Sequence, residues 1–484
     1  MEELGQFERT ITYEEFKTLP DWQRMEIAAK NRVINTDTYN RTMNFLRGPE
    51  GWREQETYTL QMRRSPFNYL VVSGVEDAVA ELTSQPITQE ELDFAEAFYA
   101  DKGIDMFNKE MWQAVVDEYD GKLPFEIHAM PDGSVALPGE PIISVTGPGE
   151  LVAHFEHVFH RPFYSTLVAT KAHEIYKAIG DASRFIEVGK RGVPQEITHL
   201  AAVKAMQVGG SLNLTSNDAG AAVFEDVMPV GTIGHRYVQR FPSVEAAFRH
   251  AIENLDSVSL LVDLVDSYDG LNLSLELKDE YRDTGKKIYV RLDSGDVKEQ
   301  VKYYLKECEA RGFTDPVLDK ATVEGLDDLL DITDIEQDLR DDQRARAAHG
   351  AGGLIVANDT RRSDASTGFK LSEYEDTDGA MVPSMKFSNS PGKHSIPGRP
   401  TVAYIDGVRT IAQLDEVTED ENLMQLMYQN GELQPQSTIK EAQQRRAAQY
   451  LQALPLIERG EKAVFSKSTA VKIGEVMARY GLEE

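Results

Sequence analysis

The chain has 484 residues, 41% apolar and 27% charged; it is too long for one ordinary hydrophobic core and too apolar for disorder, so two domains are expected. Acidic residues number 81 against 51 Lys plus Arg, a formal net charge of -30, and a surface of that sign repels nucleic acid and anionic membranes. The sequence has no run of about 18 apolar residues, no basic-then-apolar leader in MEELGQFERTITYEEFKTLPDW, and Cys308 as its only cysteine. A cytoplasmic protein with no nucleic-acid or membrane partner and no internal disulfide is therefore expected.

In chain order, the first 30 residues read as a short helical lead-in. ITQEELDFAEAFYA, within a helical stretch from about 85 to 120, follows apolar residues at helical spacing behind Thr88, a suitable N-cap. FEIHAMPDGSVALPGEPIISVTGP reads as three strands separated by the turns PDG and LPGEP. From about 165, helical stretches alternate with the β-rich runs RFIEVG, VMPVGTIG, VSLLVDLVD, KIYVRLD and GGLIVAND. Alternation of this kind predicts parallel βα units, in a barrel or an open doubly wound sheet. In a barrel, the polar residues that end these runs converge on one mouth. Residues 316–348 predict one or two helices with an acidic, solvated face. Beyond about 380 short strands give way to a charged, helical segment, and the last 80 residues read as helix.

Five patterns carry candidate chemistry. YVRLDSGD delivers Arg291, Asp293 and Asp296 around a glycine, a set that can clamp phosphate and hold a ribose hydroxyl or Mg2+. LVDSYDG ends an apolar run with Asp266 and Asp269, and GTIGHRY places His235 among glycines, where a neutral imidazole can accept a phosphoryl group. HGAGGL offers consecutive backbone N–H groups to a phosphate, and EVGKRGVPQE sets Lys190 and Arg191 at a strand end. Each also reads as an ordinary turn when taken alone. Neither a nucleophile elbow nor an HExxH pair is present. The residues themselves thus lead to a barrel-like enzyme acting on a phosphorylated substrate with Mg2+.

Beyond the residues stands a resemblance. INTDTYNRTM (34–43), RRSPFN (63–68), AMPDGSVALPGEPIISVTGP (129–148), STLVATKA (165–172), LTSN (214–217), GTIGH, LVDSYDGL, RLDSGD and MKFSNSPGKHSIPG (385–398) follow in order. This series resembles the nicotinate phosphoribosyltransferase family. The resemblance implies an α/β fold, an irregular βα barrel of the type II phosphoribosyltransferase kind, with an α+β domain built from N- and C-terminal segments. The expected division is an N-terminal α+β domain over 1–160, the barrel over 161–380, and a segment over 381–484 packing on the N-terminal domain. It also implies a homodimer with a shared active site, small-molecule substrates, and conversion of nicotinate and phosphoribosyl pyrophosphate to nicotinate mononucleotide and pyrophosphate. Mg2+ and hydrolysis of ATP through a phosphorylated histidine belong to the same expectation.

The resemblance matches His235 to the phosphorylated histidine, and Arg291 and Asp293 to the pair that engages phosphoribosyl pyrophosphate. Asp266 matches the acid near the ribose and, with Asp293, the Mg2+ ligands, directly or through water. Gly352 and Gly353 match the turn holding the 5′-phosphate, and Arg191 matches the arginine lying against the pyridine. Tyr39 matches the tyrosine lent to a partner subunit, with Asp37 in the same segment. GKRGVPQE and TRRSDASTGFKLS, with Arg361 and Lys370, resemble the sister nicotinamide phosphoribosyltransferase. Ser216 decides for nicotinate: the sister enzyme has an aspartate there, which accepts from an amide but repels a carboxylate, to which serine can donate. Asp218, two residues on, weakens this if it points inward. Val188 departs from the family's phenylalanine, losing a ring-stacking contact worth about 1 kcal/mol, and 324–342 is unusually acidic. A degenerate nucleotide-binding homologue would have lost His235, Arg291 or Asp293, and all three are present.

Overall fold

The computed structural model describes residues 11–210, 212–326, 328–388 and 394–482. The chain divides into two compact units: one comprises residues 1–163, 361–438 and 447–484, the other residues 164–360 and 439–446.

The second unit is built on seven strands: β1 (Phe185–Glu187), β2 (Leu214–Thr215), β3 (Met228–Pro229), β4 (Ser257–Leu261), β5 (Lys287–Leu292), β6 (Ala321–Val323) and β7 (Ala347–Ala351). Their spatial order is β3-β2-β1-β7-β6-β5-β4, and every pairing is parallel. The sheet is partly curled, so that just beyond β3, at one edge, the Ile233 N–H donates to Ser259 O on β4, at the other, at 3.2 Å. The result is an irregular half-barrel surrounded by helices, the type II phosphoribosyltransferase architecture. Polar residues start the helices between the strands. Ser243 accepts from Ala246 N at 3.1 Å, Asp266 from Tyr268 N and Asp269 N at 2.9 and 3.0 Å, and Asp296 from Glu299 N at 3.0 Å. Each satisfies a backbone donor that the first helical turn leaves open. Phe248, Ile252, Leu260, Leu277 and Ile288 lie within one buried cluster between sheet and helices.

The first unit carries a second seven-stranded sheet, in the order Met381–Pro383, Thr367–Glu375, Gln55–Met62, Pro141–Pro148, Glu126–Ala129, Gln425–Gln429, Glu432–Leu433. Three strands from the N-terminal part of the chain form its centre, flanked on each side by two strands from the C-terminal part. Thr88 caps helix Gln89–Asp101 in a capping box with Glu91.

Three expectations need correction. Residues 352–359 form no strand: the strand is β7, immediately upstream, and Gly353–Val356 is a helical turn. The stretch 316–348 is not all helix, because β6 is embedded in it, and its acidic face is not wholly solvated, because Glu336 is buried. The charged segment after 413 holds the strands Gln425–Gln429 and Glu432–Leu433 where helix was expected. In each case a short strand is specified by its neighbours in the sheet, not by its own composition.

In the first unit, buried Glu150 lies 3.6 Å from Arg47 Nε. Burial, then the neighbouring Glu56 carboxylate, pushes its carboxyl up to about 7 against the opposing pull of Arg47. Because the folded value lies above the unfolded one, the folded state holds the extra proton. This contribution is complete below the ordinary value of 4.5 and is lost as pH rises through 7. Glu150→Gln should therefore raise stability at pH 8 by about 2 kcal/mol and change it little at pH 4.5. Thermal unfolding at the two pH values measures this, and equal shifts would refute the assignment.

Candidate active site

Just beyond the C-terminal ends of the seven strands stand Val188 after β1, Ser216 after β2, Thr232 after β3, Asp263 after β4, Asp293 after β5, Glu324 after β6 and Gly352 after β7, five of them with polar side chains. Two adjoining cavities open among them. One, of about 750 Å³, is lined by Val188, Lys190, Arg191, Ser216, Arg291 and Glu324 among others. The second, of about 320 Å³, shares Val188, Arg191 and Glu324 with it and adds Asp293 and six glycines.

Four of the six glycines, Gly189, Gly192, Gly325 and Gly350, are required by close approach, whereas a Cβ at Gly353 would meet nothing within 4 Å. A Cβ at Gly350 would lie 2.5 Å from Glu324 Cγ, and one at Gly189 2.8 Å from Val356. Gly325 has φ +69°, and its Cβ would lie 2.3 Å from Asp293 O. Backbone therefore lines this cavity where side chains would fill it, a surface suited to an anion such as a phosphate. Gly325→Ala should lower kcat/KM by about tenfold or more through displacement of Asp293; steady-state kinetics measures it, and an unchanged value would show the turn to be slack.

Arg291 is held on three sides. Its guanidinium donates to Thr232 Oγ1 at 3.0 Å and to Asp293 Oδ1 at 2.9 Å, and stands 2.9 Å from Glu324 Oε2. Burial pushes the Glu324 carboxyl up; Arg291 opposes this and Asp293 adds to it. Arg191 is exposed and faces both cavities.

His235 begins a short helix with Gly234 as N-cap, its ring 45% exposed, and its Nε2 lies 3.1 Å from Asp263 Oδ1. Asp263 Oδ2 accepts from Ser294 Oγ at 2.5 Å, whereas Oδ1 is buried and receives no hydrogen bond among the described residues. His235, Asp263 and Asp293 each offer a ligand atom within 4.8 Å of the others. Two carboxylates, one with an unsatisfied buried oxygen, fit Mg2+, which takes oxygen ligands from one or two carboxylates and completes its shell with water or substrate phosphate.

Asp266 follows β4 at the start of the next helix. Its carboxylate caps helix Ser267–Glu280, and the acid beside His235 is Asp263, three residues earlier. Asp218 is not among the residues lining the larger cavity, while Ser216 is. Gly352 and Gly353 both line the glycine cradle.

The remaining sequence candidates lie in the first unit. Asp37 is the N-cap position of helix Thr38–Gly51. The Tyr39 hydroxyl bonds Glu156, and burial followed by that carboxylate holds the phenol above its ordinary range. Lys370 Nζ lies 3.8 Å from Glu156, and burial lowers its pKa, with Lys386, Arg63 and Arg362 acting in the same direction. Arg361 is 75% exposed and pairs with Asp364 at 3.1 Å; the arginines whose charges reach Lys370 are Arg63 and Arg362. Asp263, Glu324 and Arg362 were missed by sequence reasoning. LVDLVD offers two acids three apart, RR offers two adjacent arginines, and a three-residue strand barely announces the residue after it.

A family model described as the N-terminal domain of nicotinamide phosphoribosyltransferase matches residues 31–127. A nicotinate phosphoribosyltransferase from Bacillus subtilis is 28% identical over 420 residues, covering 82% of this chain and 79% of the relative. One from Arabidopsis thaliana is 28% identical over 243 residues, covering 47% and 40%. Among solved structures, human nicotinic acid phosphoribosyltransferase aligns over 91% of this chain and 99% of its own, with TM-score 0.69 and 19% identity. A nicotinate-nucleotide pyrophosphorylase from Pyrococcus furiosus aligns over 88% and 96%, with TM-score 0.63 and 18% identity. At these identities the two structures speak to the fold.

Proposed function

We propose, from its strong match to the nicotinate phosphoribosyltransferase family, related to nicotinamide phosphoribosyltransferase, that the chain is a member of that family and joins nicotinate to phosphoribosyl pyrophosphate in NAD salvage, releasing pyrophosphate. The observation that carries the reading is the pair of adjoining cavities, one walled by Ser216 and Val188, the other by glycine backbone, with Arg191 and Glu324 common to both.

In this reading the backbone N–H groups around Gly352 and Gly353 hold the 5′-phosphate. The nicotinate ring lies against Val188 and Arg191, and Ser216 donates to its carboxylate. The ring nitrogen attacks C1 of the ribose as the bond from C1 to the pyrophosphate oxygen breaks. Positive charge develops on the sugar and negative charge on the leaving group. Arg291 stabilises the latter from a fixed position, with no reorganisation at the moment of reaction. The ring nitrogen already carries its lone pair, so no strong base is needed. Mg2+, when bound by Asp263 and Asp293, supplies charge neutralisation at the phosphates. ATP coupling assigns phosphoryl transfer to His235, whose ring Asp263 faces. Tyr39, with Asp37 in the same segment, serves the site of a second copy in a homodimer, and Arg361 and Lys370 bind substrate.

The nicotinamide reading draws support from the family model over residues 31–127, and Ser216 tells against it. The test is parallel turnover of nicotinate and nicotinamide by the purified chain with phosphoribosyl pyrophosphate, Mg2+ and ATP. A kcat/KM at least about tenfold higher for nicotinate is expected, preference for nicotinamide would reverse the base assignment, and inactivity with both would overturn the reading. Omission of ATP then tests the coupling, and phosphate retained on His235 but absent from His235→Asn tests its site.

A further inference from the structure

We propose that Glu187, His199 and Asn217 form a buried positioning network that sets the Ser216 wall of the larger cavity and thereby its discrimination between a pyridine carboxylate and a pyridine carboxamide. The inference rests on the reading of the site given above.

The chain alternates across this wall. Val188 and Ser216 line the cavity, while the neighbouring Glu187, Thr215 and Asn217 are buried, at 0%, 0% and 2% exposure. Behind the wall, one carboxylate ties the two loops together. Glu187 Oε1 accepts from His199 Nε2 at 2.8 Å and from the Gly189 N–H. Its Oε2 accepts from Thr215 Oγ1 at 2.6 Å. His199, on helix Glu196–Gly209, accepts at Nδ1 from Asn217 Nδ2 at 2.8 Å. That acceptance leaves the other ring nitrogen as the N–H donor to Glu187. Asn217 Oδ1 in turn accepts from Ala219 N at 3.2 Å and from Lys190 Nζ at 3.4 Å, and Lys190 lines the cavity. The backbone adds a last tie, from Ser216 N–H to Glu187 O at 2.8 Å.

Both residues flanking Ser216 are thus held from behind, so its hydroxyl is presented by a frame and not by a free loop. Water has little access to replace a lost bond at such burial, and a half-satisfied network shifts its loops or strands a polar group. A serine distinguishes carboxylate from carboxamide only if its oxygen stays in hydrogen-bond register with the ligand. Displacement by a fraction of an ångström weakens that choice before it weakens phosphate binding in the other cavity. Glu187, His199, Thr215 and Asn217 do not line either cavity, so their effect is on position and not on chemistry.

Thr215→Val removes one hydroxyl at nearly constant shape, and Thr215→Ser keeps it. With wild type active on nicotinate, Thr215→Val should raise the nicotinate KM and narrow the nicotinate-to-nicotinamide kcat/KM ratio, each by about fivefold. The KM for phosphoribosyl pyrophosphate should stay within about twofold, and Thr215→Ser should return all values to within about twofold of wild type. Equal shifts in both substrates' KM values, or an unchanged ratio, would overturn the network's role. If wild type turns over neither base, the functional reading fails, and the network is then judged in the folded protein by 15N-histidine NMR. A slowly exchanging His199 Nε2–H that Asn217→Leu abolishes would support it; a His199 ring exchanging freely in wild type would sink it.

Discussion

Arg291→Met is expected to lower kcat/KM by about 10²- to 10³-fold, the scale for removing one fixed donor or cation from a developing oxyanion. The guanidinium stands between Asp293 and Glu324, each at 2.9 Å, with Thr232 fixing a third direction at 3.0 Å. Its loss does more than delete a positive charge. Asp293 and Glu324 would face each other across the mouth of the glycine cradle without a counter-charge, and an incoming phosphate would meet them. Glu324 is already pushed up by burial and held back by Arg291, so its carboxyl should rise further in the variant. The pH profile of the residual activity should change accordingly. Arg291→Lys should recover only part of the loss, because a point ammonium cannot reproduce the planar fork that meets three acceptors. Steady-state kinetics on the three proteins decides the matter. A kcat/KM for Arg291→Met within about threefold of wild type would remove Arg291 from the machinery.

Glu336→Ala should cost about 3–5 kcal/mol of stability, the scale for stranding one partner of a buried ion pair. Glu336 is 5% exposed and bonds both Arg184 and His349, the latter at 2.6 Å. Burial by itself would raise its pKa, but His349 and Arg184 hold it below the ordinary range. Arg184 also donates to Ala347 O at 2.8 Å and Ile179 O at 3.0 Å, so the cluster ties helix Leu329–Asp338 to β7 and to the approach of β1. Without Glu336, Arg184 keeps a full charge in an apolar setting. Replacing both members, as Arg184→Met with Glu336→Leu, removes the charge together with its partner and should destabilise less than Glu336→Ala alone. Chemical unfolding of Glu336→Ala, of Arg184→Met, of Glu336→Leu and of the double variant measures the four losses. A double variant as damaged as the sum of two independent changes would mean that the pair is not coupled.

The parallel βα rhythm was legible because β4 and β5 are long apolar runs that end in acids, and helix starts at Asp266 and Asp296 carry their own caps. β2 and β6 were not legible as strands, for two or three residues carry too little pattern to be distinguished from loop or helix, and β3 was legible only as part of the longer run VMPVGTIG. At the site, His235, Arg291 and Asp293 stood out because a strand or a glycine turn delivers each. The acid paired with His235 could not be chosen, since Asp263 and Asp266 are chemically alike and both follow the same apolar run. Only the fold sends one to the imidazole and the other to a helix N-terminus. The buried acids Glu187, Glu324 and Glu336 read in one dimension as part of a strongly acidic surface.

By itself the sequence determined what local chemistry can decide: helices that begin at their caps, long strands that alternate with them, and glycines where only glycine can turn. Tertiary structure alone decided which carboxylates go inside, because an acid's burial depends on whether an arginine, a histidine or a hydroxyl from a distant segment arrives to satisfy it. Glu336 waits on Arg184, Glu324 on Arg291, and Glu187 on His199 and Thr215. Each partnership joins residues from separate segments of the chain, and its energy exists only once the chain has closed the distance between them.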